Sequence, residues 1–562
     1  MGIEQEYLDD LAERQRRAWP EGVPREVVYP LGERPVTECL RERARTEPDR
    51  TLLIFYGTEF SYGQADELSD RFAAYLMAQG VAAGERVAVM LPNCPQFMIA
   101  FYGILKAGCV HVPVNPMFQA EELRYELRDC GATTVLVADG LAALVESVRD
   151  GHAVRRLITT RPGAYLPAEP AFPVPRALTA PAAEPPAGAV AWEEALDTAL
   201  PEAWPEADLD RLAALNYTGG TTGMPKGCEH TQRHMLYTNA CSASVAGRGS
   251  GVSLVFIPVF WIAGENAGLI LPVVAGSTVV LLTRWDADAV LTAVDQYGIT
   301  AMSGTVDNYD ELMEHPRLSE HDLTSLRGSA TMSFVRRLTP ERRARWKEIT
   351  GGAVLREGAW GMTETHTSDT FTAGFQDGDR DLSDRPVFCG LPMPGTRFTV
   401  VDFATGDPLP IGAEGEICVR SPSLLTGYWN APDATAQAIR DGWLHTGDIG
   451  AVDEDGCLHF LGRGKEMLKV NGMSVFPSEV EVLLGRHPDV AGSGVIGRPD
   501  AARGEVPVAY VRLRDGAAAD AAGLAEWCRT AMAPYKVPEI RIVDELPLTA
   551  TGKVRKHLLP RD

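Results

Sequence analysis

Short continuous apolar runs recur along this chain: ERVAVMLPN at 85–93, TTVLVAD at 133–139, SLVFIPV at 253–259, STVVLLT at 277–283 and TRFTVVD at 396–402. Runs of that length, bounded by turn-forming residues, predict strands covered on both faces, as in a parallel sheet. The first is followed by a small-residue amphipathic segment, 95–107, and then by CVHVPVN at 109–115. That order is β-α-β, so an α/β fold with helices covering its sheets is expected.

The pattern breaks at 162–206, where alanine and proline dominate (PAEPAFPVPRALTAPAAEPPAGAV). Proline removes backbone donors and fixes φ, so a surface excursion or interlobe linker is expected there, not a helix or central strand. At 441–465, DGWLHTGDIGAVDEDGCLHFLGRGK, turn-forming Gly and Asp residues crowd together. Beyond it, 478–497 and 507–516 read as a helix followed by strands of a smaller α+β unit. The expected division is therefore a large domain over 1–462 and a small mobile one over 463–562. No internal repeat or heptad run is visible.

Composition narrows the classes. A chain of 562 residues exceeds one ordinary core. The formal net charge of -23 argues against nucleic acid and anionic membranes, which need a basic face. The ten cysteines stand singly without a CxxC pair, which suggests neither a zinc site nor a disulfide framework, and predicts buried free thiols in a reducing compartment. The opening MGIEQEYLDD lacks a signal-peptide pattern, and Glu6 stands where myristoylation wants Ser or Thr. The most apolar stretch, 267–282, is short for a bilayer span and contains Pro272 and Gly276. A cytoplasmic protein with no integral membrane segment is expected.

Residues 216–227, NYTGGTTGMPKG, gather four glycines, three threonines and a lysine. Glycine allows close backbone approach to a polyphosphate, hydroxyls and bare N–H groups donate to its oxygens, and lysine supplies charge. No Walker A spacing can be read from it. A Gly/Thr-rich surface turn is the plain structural alternative. For Asp448 the plain alternative is a turn residue before a strand, for Glu364 a helix-start carboxylate, and for Lys553 an exposed loop lysine.

The loop closely resembles the phosphate loop of the adenylate-forming superfamily, which includes acyl-CoA synthetases, aryl-CoA ligases, luciferases and peptide-synthetase adenylation domains; the chain is most like the acyl-CoA synthetases. Four further motifs follow in the same order: GAWGMTET at 358–365, GWLHTGDIG at 442–450, LGRGKEMLKVNGMSVFPSEVE at 461–481 and PLTATGK at 547–553. The resemblance implies an ATP-dependent, AMP-forming acid–thiol ligase working through an acyl-adenylate, with ATP, Mg²⁺ and CoA. By that resemblance Thr218, Gly219, Gly220, Thr221, Thr222, Gly223 and Lys226 hold the phosphates. Trp360, with Gly361 beside it, stacks on adenine; Thr363 meets the α-phosphate, and Glu364 ligates magnesium. Asp448 and Arg463 take the ribose. Lys553 bridges the acyl carboxylate and α-phosphate. Lys465 is the hinge of a swinging C-terminal domain, Gly472 borders the CoA tunnel, and Lys469 lies near it.

Four places depart from common members: Trp261 replaces a frequent His, Trp360 a usual Tyr, GCEHTQRH follows Lys226, and 370–386 is longer than usual. His230 and His234 have i, i+4 metal-ligand spacing but no third ligand in view, which favours a structural role. The acyl pocket is expected from Trp261, Gly304, Thr305, Asp307, Ser329, Ala330, Thr331 and Gly361, and points to a small, medium or aromatic acid. Trp261 also keeps open another acceptor, a carrier-protein thiol or an amine, or another oxyanion such as nitrite. A nucleotide sensor without chemistry would have no need of Lys553. Nothing in the sequence bars a homodimer.

Overall fold

The computed structural model describes residues 3–149, 153–218, 224–245, 251–333, 337–383, 387–470, 473–500, 503–532, 534–549 and 552–560. Four sheets organise these residues. The β-α-β reading at 85–115 holds, as Arg86–Met90, Pro95–Lys106 and Val110–Pro113, with the two strands parallel. The runs at 133–139, 253–259, 277–283 and 396–402 supply Thr134–Ala138, Val252–Val255, Thr278–Leu281 and Arg397–Val401. Each strand is shorter than its run; beyond Val252–Val255 and Thr278–Leu281 the apolar residues Phe256 and Leu282 continue into the core as loop.

Two seven-stranded, mostly parallel sheets form the large part of the chain. One runs Val354–Glu357, Gly328–Met332, Ala301–Thr305, Val252–Val255, Thr278–Leu281, Thr51–Phe55, Thr58–Ser61. The other is built around Arg86–Met90 and ends in the hairpin Leu212–Tyr217 with Gly227–Thr231. Helix Pro95–Lys106 is buried along its whole length, which its uniformly apolar sequence anticipates. At Gly103 a Cβ would lie 2.9 Å from both the Phe72 ring and the Ser69 carbonyl, so a glycine lets helix Tyr62–Ala78 approach.

The proline-rich 162–206 is more than a linker. It carries the edge strand Val190–Ala191 and the short helix Trp192–Leu196, and buries Phe172, Leu178 and Trp192 in the main core. Trp192 packs 4.9 Å from the Phe72 ring. Three aromatic and aliphatic anchors compensate for the hydrogen bonds that proline withholds.

The third sheet is antiparallel, and the Gly/Asp-rich segment supplies its two central strands, Trp443–Val452 and Leu458–Arg463. The turn residues cluster at Asp453–Gly456 and at a bulge around Gly447 (φ +68), leaving apolar positions to pair between them. The long segment 370–386 is anchored by Arg343, which pairs with Asp379 and Asp381 at 2.6 Å each. The fourth sheet begins at Leu468–Val470 and has its own core of Val470, Val480, Leu484, Val495, Ala509 and Leu524. The chain is thus a large N-terminal part of three sheets with a smaller C-terminal α+β part. All ten cysteines are buried free thiols.

Candidate active site

The phosphate-loop segment closes the Leu212–Tyr217/Gly227–Thr231 hairpin, and its base is pinned on both sides. Thr218 N donates to the Lys226 carbonyl at 2.9 Å, and Lys226 N donates to Thr218 Oγ1 at 3.2 Å. Tyr125 hydroxyl donates to the Pro225 carbonyl at 2.8 Å. Gly219, Gly220, Thr221, Thr222 and Gly223 lie outside the described residues, as does Gly472.

The segment around Tyr428 runs alongside Gly227–Thr231: Trp429 N donates to Gly227 O at 2.8 Å and Glu229 N to Gly427 O at 3.0 Å. That brings Tyr428 between the two charged motifs. Lys226 Nζ sits 4.1 Å from the Tyr428 ring centroid, and the Tyr428 hydroxyl donates to Glu364 Oε1 at 2.8 Å. Leu425 N also donates to the Glu364 carbonyl at 2.8 Å. The sequence reading missed Tyr428, whose role arises only once these strands are side by side.

Thr363 and Glu364 form a single 3₁₀ turn, Thr363–Thr365. His230 Nε2 donates to the Thr363 carbonyl at 2.8 Å, which gives His230 a structural role, as expected. Gly361 admits no other residue: a Cβ would fall 1.2 Å from the Thr367 carbonyl oxygen. Glu364 is half-buried with one oxygen on a hydroxyl, and hard carboxylate donors of this kind would suit a magnesium ion.

Asp448 is 2% exposed and reaches both neighbouring motifs. Its Oδ2 accepts from Trp360 Nε1 at 3.0 Å, and its Oδ1 faces Arg463 Nε at 2.7 Å. The ladder sets the second contact, since Asp448 is the register partner of Arg463. Burial pushes the Asp448 carboxyl up to about 6 against the opposing pull of Arg463 and the Trp360 N–H. Trp360, the residue that the resemblance gives as the adenine-stacking one, is 8% exposed, and its indole N–H ties that carboxylate in place. Lys553 is exposed and close enough to Asp448 and Arg463 for their charges to act on it. Lost solvation and the Arg463 charge lower its ammonium pKa, while Asp448 and Glu466 oppose them.

Between strand Leu212–Tyr217 and the residue that follows the Thr363–Thr365 turn lies a buried polar cluster that the sequence did not announce. Glu265 faces His111 at 3.5 Å and His366 at 3.7 Å, and accepts from Asn216 Nδ2 at 3.3 Å. Burial lifts the Glu265 carboxyl to about 8 and drops His111 to about 3, so the group is neutral at pH 7. These contacts join the strand entering the phosphate loop to the residue following the turn. A glutamate inside the apolar run IAGENAGLIL was the available signal, because buried carboxyls demand partners.

On the acyl side, Trp261 is half-buried with its ring 5.3 Å from Phe260. Gly304 lies under Phe256, where a Cβ would be 3.0 Å from the ring, and Thr305 caps helix Val306–Met313. Asp307 is exposed in that helix's first turn. Strand Gly328–Met332 separates the other three: Ser329 and Thr331 are buried on one face, where Ser329 Oγ accepts from Trp346 Nε1 at 3.0 Å. Ala330, on the opposite face, is half-exposed. The structure therefore does not bring Ser329 or Thr331 together with Ala330. Lys465 lies in the 3₁₀ turn Gly464–Glu466, and the Lys469 backbone is in register with that of Ser474 in the first ladder of the C-terminal part.

The model of the AMP-binding enzyme family matches residues 40–429, and that of the AMP-binding enzyme C-terminal domain matches 479–553. A long-chain-fatty-acid–CoA ligase of Bacillus subtilis (strain 168) is 33% identical over 97% of both chains. A feruloyl-CoA synthase of an Amycolatopsis species is 33% identical over 92% of this chain and 96% of its own. Among solved structures, the anthranilate CoA ligase AuaEII in complex with anthranoyl-AMP superposes with a TM-score of 0.79 at 27% identity, covering 93% of this chain and 96% of that one. With a family model spanning well over half its length and near-full-length relatives above 30% identity, this chain belongs to the AMP-binding enzyme family.

Proposed function

We propose that this enzyme is an AMP-forming acyl-CoA synthetase. The observation that carries the reading is the grouping of Trp360 and Arg463 on the Asp448 carboxylate, with the Lys553 charge acting on the same group, together with the Lys226–Tyr428–Glu364 contacts. In the first half-reaction an oxygen of the substrate carboxylate attacks the α-phosphorus of ATP, and pyrophosphate leaves with the bond's electron pair. Two anions must meet, so positive groups and alignment dominate the barrier. Lys226 and the loop it closes neutralise the outer phosphates. Asp448 accepts from the ribose hydroxyls, with Arg463 and the Trp360 N–H holding its carboxylate in place. Lys553 brings an ammonium between the acyl carboxylate and the α-phosphate.

Glu364 would hold magnesium, which supplies charge neutralisation on the phosphate oxygens. In the second half-reaction the CoA thiolate attacks the acyl carbonyl carbon and AMP departs. That step calls for the C-terminal part to turn about Lys465, presenting Lys469 and Gly472 to the thiol. We draw the moving part as 463–562. A cytoplasmic setting accompanies this reading, supported by ten buried cysteines that form no disulfide. Among the described residues no helix is long and apolar enough to cross a membrane. A different acceptor, such as a carrier-protein thiol, is the second reading, and it rests on the bulk of Trp261 beside the acyl side.

Pyrophosphate release with Mg-ATP, measured against fatty acids of graded length, aryl acids and nitrite, with and without CoA, tests both readings. Release accompanied by thioester formation supports the synthetase and identifies its acid. Release indifferent to CoA favours the second reading. Silence across the panel would overturn the first.

A further inference from the structure

Away from the nucleotide-facing groups, three side chains that the reaction does not use converge behind the bulge that carries Asp448. Strand Gly415–Arg420 pairs with Trp443–Val452 so that Cys418 lies opposite His445. Glu416, two positions earlier, projects to the same face of its strand. Cys418 Sγ lies 3.4 Å from His445 Nδ1, and Glu416 Oε2 lies 2.8 Å from the same nitrogen. Sulfur, nitrogen and oxygen all fall within 4.8 Å of one another. Cys418 is buried, while Glu416 and His445 are half-buried, which leaves a side open to solvent.

Tetrahedral zinc with Zn–S of about 2.3 Å and Zn–N of about 2.0 Å holds its sulfur and nitrogen roughly 3.5 Å apart. The Cys418–His445 separation already meets that value, and a small rotation of the Glu416 carboxylate opens the remaining edge. A sulfur–imidazole–carboxylate set discriminates against magnesium, which demands oxygen ligands. We propose that Glu416, Cys418 and His445 form a binding site for one zinc-class divalent cation, with a solvent molecule as fourth ligand, separate from the magnesium position at Glu364.

Binding is balanced by one proton. The Cys418 thiol proton leaves to solvent as the sulfur–metal bond forms, and the His445 proton shifts from Nδ1 to Nε2 so that Nδ1 can coordinate. Burial and the Glu416 carboxylate both raise the Cys418 thiol pKa, and a divalent cation between them reverses that repulsion. The site also reaches the nucleotide side. Glu416 Oε1 accepts from Gly447 N at 3.0 Å, and Thr446 Oγ1 donates to Ile417 O at 2.7 Å. An ion on Glu416 therefore ties the neighbouring strand to the bulge that aims Asp448.

The test is cobalt titration of the reduced full-length enzyme in excess magnesium. The expected result is a thiolate-to-cobalt charge-transfer band that saturates at one equivalent, releases about one proton and is bleached by stoichiometric zinc. Cys418→Ser should abolish the band. His445→Ala should weaken binding by more than the roughly 10- to 100-fold cost of losing an outer-shell partner. Both variants should retain the wild-type melting transition, which separates ligand loss from misfolding. Absence of a thiolate band, or a band of equal intensity in Cys418→Ser, would overturn the proposal.

Discussion

Asp448→Asn should make the unliganded enzyme more stable while making it a poorer binder of ATP. The Asp448 carboxyl is buried, and its pKa stands at about 6 against an ordinary value of 3.8. Burial is the largest cause; Arg463, the Trp360 N–H and Lys553 offset part of it, and Glu364 adds to it. The unfolded chain releases this proton near 3.8 and the folded chain near 6. Between those values the unfolded state is the more ionised, so stability falls as pH rises through the window and levels off above it. A shift of about 2 units corresponds to about 3 kcal/mol of stability withheld at about pH 8. Asparagine keeps an oxygen for Trp360 Nε1 and leaves Arg463 in water, where it is already more than half exposed. The variant should therefore gain up to about 3 kcal/mol at about pH 8, roughly half of that at about pH 5, and nothing below about pH 4. Calorimetric melting of both proteins across this range isolates the effect, because the other titrations cancel in the difference. Pyrophosphate exchange should show a higher KM for ATP in the variant, since a neutral amide is a weaker partner for ribose hydroxyls. A variant that melts below the wild type at about pH 8, or a gain that does not shrink on acidification, would refute the assignment of Asp448 as a buried, strained carboxylate.

Trp360→Phe keeps a ring but deletes a hydrogen bond to a charged acceptor, about 1.5–3 kcal/mol, so ATP affinity should fall about tenfold or more. An unchanged KM for ATP would show that the contact is idle. Gly361→Ala forces a Cβ into the Thr367 carbonyl, and either soluble yield or melting temperature should drop sharply; a normally folded, fully active variant would contradict the local backbone. For Lys553→Ala, AMP formation from acid and ATP should vanish while a supplied acyl-adenylate is still converted to thioester, as followed by separate assays of the two half-reactions. Lys465→Pro should reverse that pattern, sparing adenylation and stalling thioester formation, and equal loss of both steps would count against the hinge.

The sequence by itself determined the class of fold, the order of its elements and the location of each charged motif. Those features depend on short-range properties. Continuous apolar runs make buried strands, proline breaks ladders, and glycine and threonine cluster where a backbone must meet phosphate. Tertiary structure decided which of those residues meet. Trp360 and Asp448 are 88 positions apart, and Glu364 and Tyr428 are 64 apart, yet both pairs are in hydrogen-bond contact. Ser329, Ala330 and Thr331 are consecutive in the sequence, yet strand alternation buries Ser329 and Thr331 on one face and sets Ala330 on the other. Cys418 and His445 lack any metal-binding spacing along the chain and become neighbours only through an antiparallel register. The Glu265 cluster likewise needs residues from 111 to 366 to assemble. Propensity acts over a few residues, whereas register and packing select among distant partners by burying all of them at once, and only folded coordinates carry that information.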